Sequence, residues 1–229
     1  MRGHKISIVA FVLAAIALGG VVTLAFAYEN LRRQMAGINS DLARLPSPSA
    51  SHLHWEARLA VVKSQLSRVM KPIIVMGDSI VEMALLPPSI CNYPVINAGF
   101  GGSTIGFFTR YASIIANESD PALIVMSVGI NDTGTPAEVF QSAYLATLKS
   151  LNAPVVIATI TPSKSDAIDT ASIAQFNEFI ESLAGQYSII NTAGGLSGEM
   201  TVDGIHPNRE GYDIWDRLLV QGIKSKIGC

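Results

Sequence analysis

Charge is scarce in this 229-residue chain, and neither sign dominates. Only 15% of residues are charged, with 16 Lys and Arg against 18 Asp and Glu, for a formal net charge of −2. A nucleic-acid partner therefore has no electrostatic support. Cysteine is nearly absent. Cys91 and Cys229 lie far apart and form no Cys-x-x-Cys pair, so neither a zinc nor a redox motif is indicated. They could close one disulfide that pins the C-terminus of an exported domain, or they could be unrelated thiols; sequence alone leaves both open. Internal repeats and low-complexity arrays are missing too. What is plentiful is apolar surface, at 49% hydrophobic residues. That supply fills a large core and argues against wholesale disorder. The length suits one catalytic-sized domain with additional segments.

Part of the apolar excess is concentrated at the start. Arg2 and Lys5 precede Ile6 to Ala27, a run of 22 residues without a charge. As a helix it would cover roughly 33 Å, enough for a hydrocarbon core of about 30 Å. A secretory signal usually has a shorter apolar stretch, so the length favours a retained anchor. Ala25-Phe26-Ala27 reads like a small-x-small cleavage site and favours removal. Either way, residues 1–27 are expected to place the downstream domain outside the cytoplasm, membrane-anchored or secreted. Arg32, Arg33 and Arg44 follow the run closely, so charge bias does not decide its orientation.

Leu31, Met35, Ile38, Leu42 and Leu45 then mark a helical stripe, and Pro46-Ser47-Pro48-Ser49-Ala50-Ser51 breaks it. Residues 28–51 read as a helical stalk and linker, and 52–229 as the catalytic domain. That domain opens with a helix over 52–71, carrying Leu59, Val62, Leu66 and Val69. From Pro72 on, short apolar runs alternate with amphipathic stretches. Strands are expected at Ile73–Met76, Val95–Ile96, Leu123–Val128, Val155–Ile160 and Ile189–Ile190. Helices are expected at about 104–118, 136–150, 170–185 and 208–224. This alternation predicts an α/β fold with a parallel sheet covered by helices on both faces. Ligand crevices in such folds lie at the carboxyl ends of the strands.

Histidine is scarce enough for elimination to work. His4 precedes the apolar run, and His52 and His54 flank the linker, which leaves His206 alone inside the alternating region. A three-histidine metal site there is excluded. In Asp203-Gly204-Ile205-His206-Pro207, an aspartate three residues before the histidine can fold back and fix its tautomer. Pro207 suits the first position of the next helix. Gly77-Asp78-Ser79-Ile80 follows the first strand, where Ser79 could present a nucleophile and its own N–H to an oxyanion, or Asp78 or Ser79 could merely cap a helix. The glycine cluster of Asn97 to Thr104 follows the second strand. It fails as a dinucleotide loop, because Thr104 stands where a third glycine is needed. Gly129-Ile130-Asn131-Asp132 follows the next strand. Its asparagine could donate to an oxyanion, or the pair could cap the helix near 136. The Gly-x-Ser-x-Gly elbow is absent, since Val81 occupies its last position.

Taken in order, Gly77-Asp78-Ser79, Gly102, Asn131 and Asp203-x-x-His206 resemble the four blocks of the SGNH (GDSL-type) serine esterase and acylhydrolase family. The resemblance covers about residues 72–229, with Ile80 where the name-giving motif has leucine. It implies a three-layer flavodoxin-like fold, Ser79 as nucleophile, and His206 as base oriented by Asp203. It also implies an oxyanion hole from the Ser79 and Gly102 N–H groups and the Asn131 side chain, with no metal or cofactor. Gly102 is chosen because the family's glycine stands five residues after the asparagine that here is Asn97. The implied activity is hydrolysis of a small-molecule or glycan ester through an acyl-enzyme. The rivals are acyl transfer to a glycan hydroxyl and a non-catalytic, membrane-tethered binding domain.

Overall fold

The computed structural model describes residues 11, 20, 23–35 and 50–229. The chain divides into two units, Met1–Pro48 and Ser49–Cys229. In the first, residues 23–35 are helical, and Arg32 and Arg33 both reach Glu29, at 3.2 and 3.5 Å. Most of the apolar run 6–27 lies outside the described residues, as do Ile38, Leu42, Leu45 and the Pro-Ser linker through Ser49. Among the described residues no helix is long and apolar enough to cross a membrane.

The second unit is built on six strands: β1 (Ile73–Gly77), β2 (Ser89–Ile90), β3 (Tyr93–Gly99), β4 (Leu123–Ser127), β5 (Val155–Ala158) and β6 (Ser188–Ile190). They form one sheet in the order β2-β3-β1-β4-β5-β6. All neighbours are parallel except β2, a two-residue edge strand antiparallel to β3. The sheet is thus mostly parallel rather than wholly so. Two residues are too few to carry a sequence pattern, which is why β2 was not expected. Every residue of β1, β4 and β5 is buried. Strands covered on both faces need continuous apolar runs, and these are the runs visible in the sequence.

Six helices surround the sheet: α1 (Ala50–Leu66), α2 (Ser79–Met83), α3 (Ile105–Ala116), α4 (Ala137–Lys149), α5 (Thr170–Ser182) and α6 (Arg209–Ile227). α1 packs on β3 and α3, α3 on α4, and α4 on α5, while α6 touches β5 and both edge strands, β2 and β6. The expected helix over 52–71 begins two residues earlier, inside the segment read as linker, and stops at Leu66; Lys71 turns through a positive φ of 48° before Pro72. Val62 and Leu66 of its stripe are buried in the core, and Leu59 and Val69 pack against it.

The strand order reverses at β1, with β3 on one side and β4 on the other. Val75 of β1 is level with Asn97 and with Val125. Such a reversal opens a crevice at the carboxyl end of the central strand. Gly77 closes β1 at that point. A side chain there would run into the Ser127 carbonyl and Val81, so only glycine lets the chain turn directly from strand into α2.

Candidate active site

Ser79 is the first residue of α2, one turn long, and Asp78 caps that turn by accepting from Ile80 N–H at 2.9 Å. The capping reading of this motif holds: Asp78 is the cap, and Ser79 stands just inside it. At the first helical position the Ser79 N–H has no intrahelical acceptor. Tyr212 of α6 donates its hydroxyl to Ile80 O at 2.9 Å and ties α2 down from the other side.

Asp203 and His206 lie 124 and 127 residues further on, in the loop before α6. The His206 Nε2 sits 2.8 Å from Ser79 Oγ, and its Nδ1 sits 2.7 Å from Asp203 Oδ2. The other Asp203 oxygen accepts from the backbone N–H groups of His206 (2.8 Å) and Ile205 (3.0 Å). These bonds, led by the His206 backbone N–H, pull the Asp203 carboxyl down to about 2. With Nδ1–H donating to that carboxylate, Nε2 is left as an acceptor for the serine hydroxyl.

The loop itself is braced. Val202 N–H donates to His206 O at 2.9 Å, and Asn208 N–H to Met200 O at 2.9 Å. Three donors converge on Gly204 O: Ser163 Oγ at 2.6 Å, Lys164 N–H at 2.9 Å and Ser165 N–H at 3.2 Å. Pro207 does not begin α6. Asn208 is its cap, accepting from Gly211 N–H at 3.0 Å, while Pro207 pairs with Thr201 across a short antiparallel bridge. The Asn208 side chain can satisfy an open N–H at the helix start, which proline cannot.

Gly102 and Asn131 lie on the loops after β3 and β4, the two neighbours of β1, so both stand at the carboxyl edge with Ser79. Gly102 has φ +70°, and a side chain there would meet open space. Its neighbour Ser103 links the three loops. Ser103 O accepts from Asn131 Nδ2 at 2.9 Å, and Ser103 Oγ reaches Gly77 O at 3.4 Å. One amide hydrogen of Asn131 thus holds the loop. Asn131 and Asp132 do not cap the helix near 136; α4 starts at Ala137, with Pro136 in the cap position and no side-chain cap bond. Asp132 instead crosses to α3, where both its oxygens accept from Ile105 N–H at 3.1 and 3.0 Å.

Sequence reasoning missed the braces around Asn97. Its amide donates to Val81 O at 2.6 Å, and its oxygen accepts from Gly99 N–H at 2.9 Å and from Arg58 at 3.1 Å. Arg58 also donates to Gly99 O and Asn97 O, at 3.0 and 2.9 Å. No local motif marks Arg58, because its partners lie about 40 residues away. Cys91 and Cys229 are joined as a disulfide, with Cα atoms 6.1 Å apart.

Two openings flank this region. A polar cleft of about 660 Å³ lies beside Asp203, lined by Lys164, Ser165, Asp166, Glu199 and Thr201 among others. A second, of about 460 Å³, lies between α1 and the loop at 84–88, and none of Ser79, Asp203 and His206 lines it.

The sequence profile of the GDSL-like lipase/acylhydrolase family matches residues 75–214. The chain belongs to that family, and is an ester hydrolase of the GDSL type. No curated protein matches it. Among solved structures it is similar to a GDSL-like lipase from Bacteroides thetaiotaomicron, with 24% identity and a TM-score of 0.61 over 74% of this chain and 97% of that one. It is similar to a lipase/acylhydrolase from Enterococcus faecalis, with 20% identity and a TM-score of 0.57 over 69% and 97% of the two chains. It is also similar to an acetylxylan esterase from Geobacillus stearothermophilus, solved as a catalytic mutant, with 18% identity and a TM-score of 0.52 over 67% and 94%. At these identities the structural likeness speaks for the fold.

Proposed function

We propose that the protein hydrolyses carboxylic esters through an acyl-enzyme on Ser79. The observation that carries this reading is the unbroken line from Asp203 through His206 to Ser79 Oγ, with steps of 2.7 and 2.8 Å. Ser79 Oγ attacks the acyl carbonyl as His206 Nε2 takes its proton, and Asp203 stabilises the imidazolium. The oxyanion forms against the N–H groups of Ser79 and Gly102 and the side-chain amide of Asn131. His206 returns the proton to the departing alcohol. It then activates a water that releases the acid and restores the serine.

The ester would be that of a small molecule or a glycan, in keeping with the esterase folds to which the chain is similar. The apolar run 6–27 would hold the domain at a membrane or send it across one. Pairing of Cys91 with Cys229 fits the oxidising compartment that either route reaches. An active-site fluorophosphonate is expected to label the wild-type chain and not Ser79→Ala. Equal labelling of both would remove the esterase reading. Product analysis with and without a glycan acceptor separates hydrolysis from acyl transfer.

A further inference from the structure

We propose that Trp55, supported by Glu82 and Arg58, is a positioning residue that aims and polarises the Gly102 N–H as an oxyanion donor. The inference rests on the esterase reading above and adds to it a device carried by α1, which lies outside the residues the family profile matches.

The Gly102 N–H and the Gly101 carbonyl belong to one planar peptide unit and point in opposite directions. Whatever grips the carbonyl therefore sets the direction of the N–H. The Trp55 indole Nε1–H donates to Gly101 O at 2.8 Å. A hydrogen bond on the carbonyl side of an amide also strengthens the N–H on its other side, by about 10–30%.

The next peptide unit back is tied at both ends. Gly101 N–H donates to the Glu82 carboxylate, and Phe100 O accepts from Ser103 N–H at 3.0 Å. Glu82 is itself held by His54 Nε2 at 3.0 Å and faces Arg58 Nε at 3.9 Å. Arg58 fixes the start of the loop through Gly99 O and Asn97 O. From 99 to 103 the backbone N–H groups find acceptors in turn: Gly99 in Asn97 Oδ1, Phe100 in Gly77 O, Gly101 in Glu82 and Ser103 in Phe100 O. Among the described residues none accepts from the Gly102 N–H. One donor in the loop is left open, and its peptide is the one that Trp55 grips. Gly102 itself is exposed and takes a left-handed φ of +70°.

Trp55→Phe separates this role from packing. The Trp55 ring rests on Phe107 with centroids 5.0 Å apart, and phenylalanine keeps that contact while removing the N–H. With nitrophenyl acetate, Trp55→Phe is expected to lower kcat about tenfold and leave KM within about twofold, short of the 10²–10³ lost when a donor is deleted outright. The inhibition constant of a boronic acid, which mimics the tetrahedral adduct, should rise in step with the loss of kcat/KM. Melting temperature should stay within a few degrees of wild type. Glu82 supplies a second test that does not depend on Trp55→Phe folding. Glu82→Gln, which keeps an acceptor oxygen, should restore most of the kcat that Glu82→Leu loses. Wild-type kcat and boronate binding in Trp55→Phe would overturn the inference, as would a loss confined to KM or no difference between the two Glu82 variants. A wild-type chain that shows no Ser79-dependent labelling would instead remove the esterase reading itself.

Discussion

At Asp78, burial and hydrogen bonding act against each other, and burial wins. Desolvation drives its carboxyl up to about 7, opposed by the bond from Ile80 N–H, while Asp132 nearby adds repulsion. A group whose folded pKa lies above its unfolded value holds extra protons in the folded state. Its stabilising contribution is full below the unfolded value of 3.8 and is lost as pH rises through about 7. Asp132, raised to about 6 mainly by burial, acts in the same direction. Asp78→Asn keeps an oxygen for Ile80 N–H and cannot ionise. We expect it to flatten the fall in melting temperature between about pH 4 and pH 7, and a fall as steep as in wild type would count against this account. Asp203 behaves in the opposite way. Held at about 2, it stays ionised through the acid range where esterases are assayed, so an acid limb in the rate profile should survive without reference to it. Asp203→Asn should reduce kcat by about 10²–10⁴ while leaving the fold intact, checked by kinetics beside circular dichroism.

Among the elements, the central strands and the longer helices were legible in the sequence for a physical reason. Strands buried on both faces must be apolar throughout, and Leu123–Ser127 or Val155–Ala158 can hardly be read otherwise. Ser79, Gly102 and Asn131 were legible as candidates because each follows a strand, and Asp203 and His206 because a single histidine lies in the alternating region with an aspartate three residues before it. What escaped were features made by contacts distant in sequence. β2 escaped for a separate reason, since its two residues, Ser89 and Ile90, are too few to carry a pattern. Asp132 reads as a local cap, yet it serves α3, whose own cap position, Thr104, makes no side-chain bond. That assignment can be tested. Asp132→Ala strands the buried Ile105 N–H and removes a negative charge from a helix start, at a cost of about 1–3 kcal/mol. A lowered urea midpoint with an unchanged slope should report it. An unchanged midpoint would mean that another group takes over the cap.

Across the whole molecule, the Cys91–Cys229 bond joins residues 138 apart in sequence. It attaches the end of α6, the helix that begins just after His206, to the turn between β2 and β3. By the loop-entropy estimate a link of this span stabilises by about 4–5 kcal/mol. Thiol reduction should therefore lower the melting temperature clearly, in the same scan where Cys91→Ser shows no response to reductant.

The same bond makes residues 91 to 229 a covalent ring, with Ser79 on the tail that enters it and His206 on its circumference. A single protease cut in an exposed ring loop, such as that near Asp166, opens the circle without releasing a fragment. The clipped enzyme should migrate as one band until reductant is added and then separate into two, with Ser79 on one piece and His206 on the other.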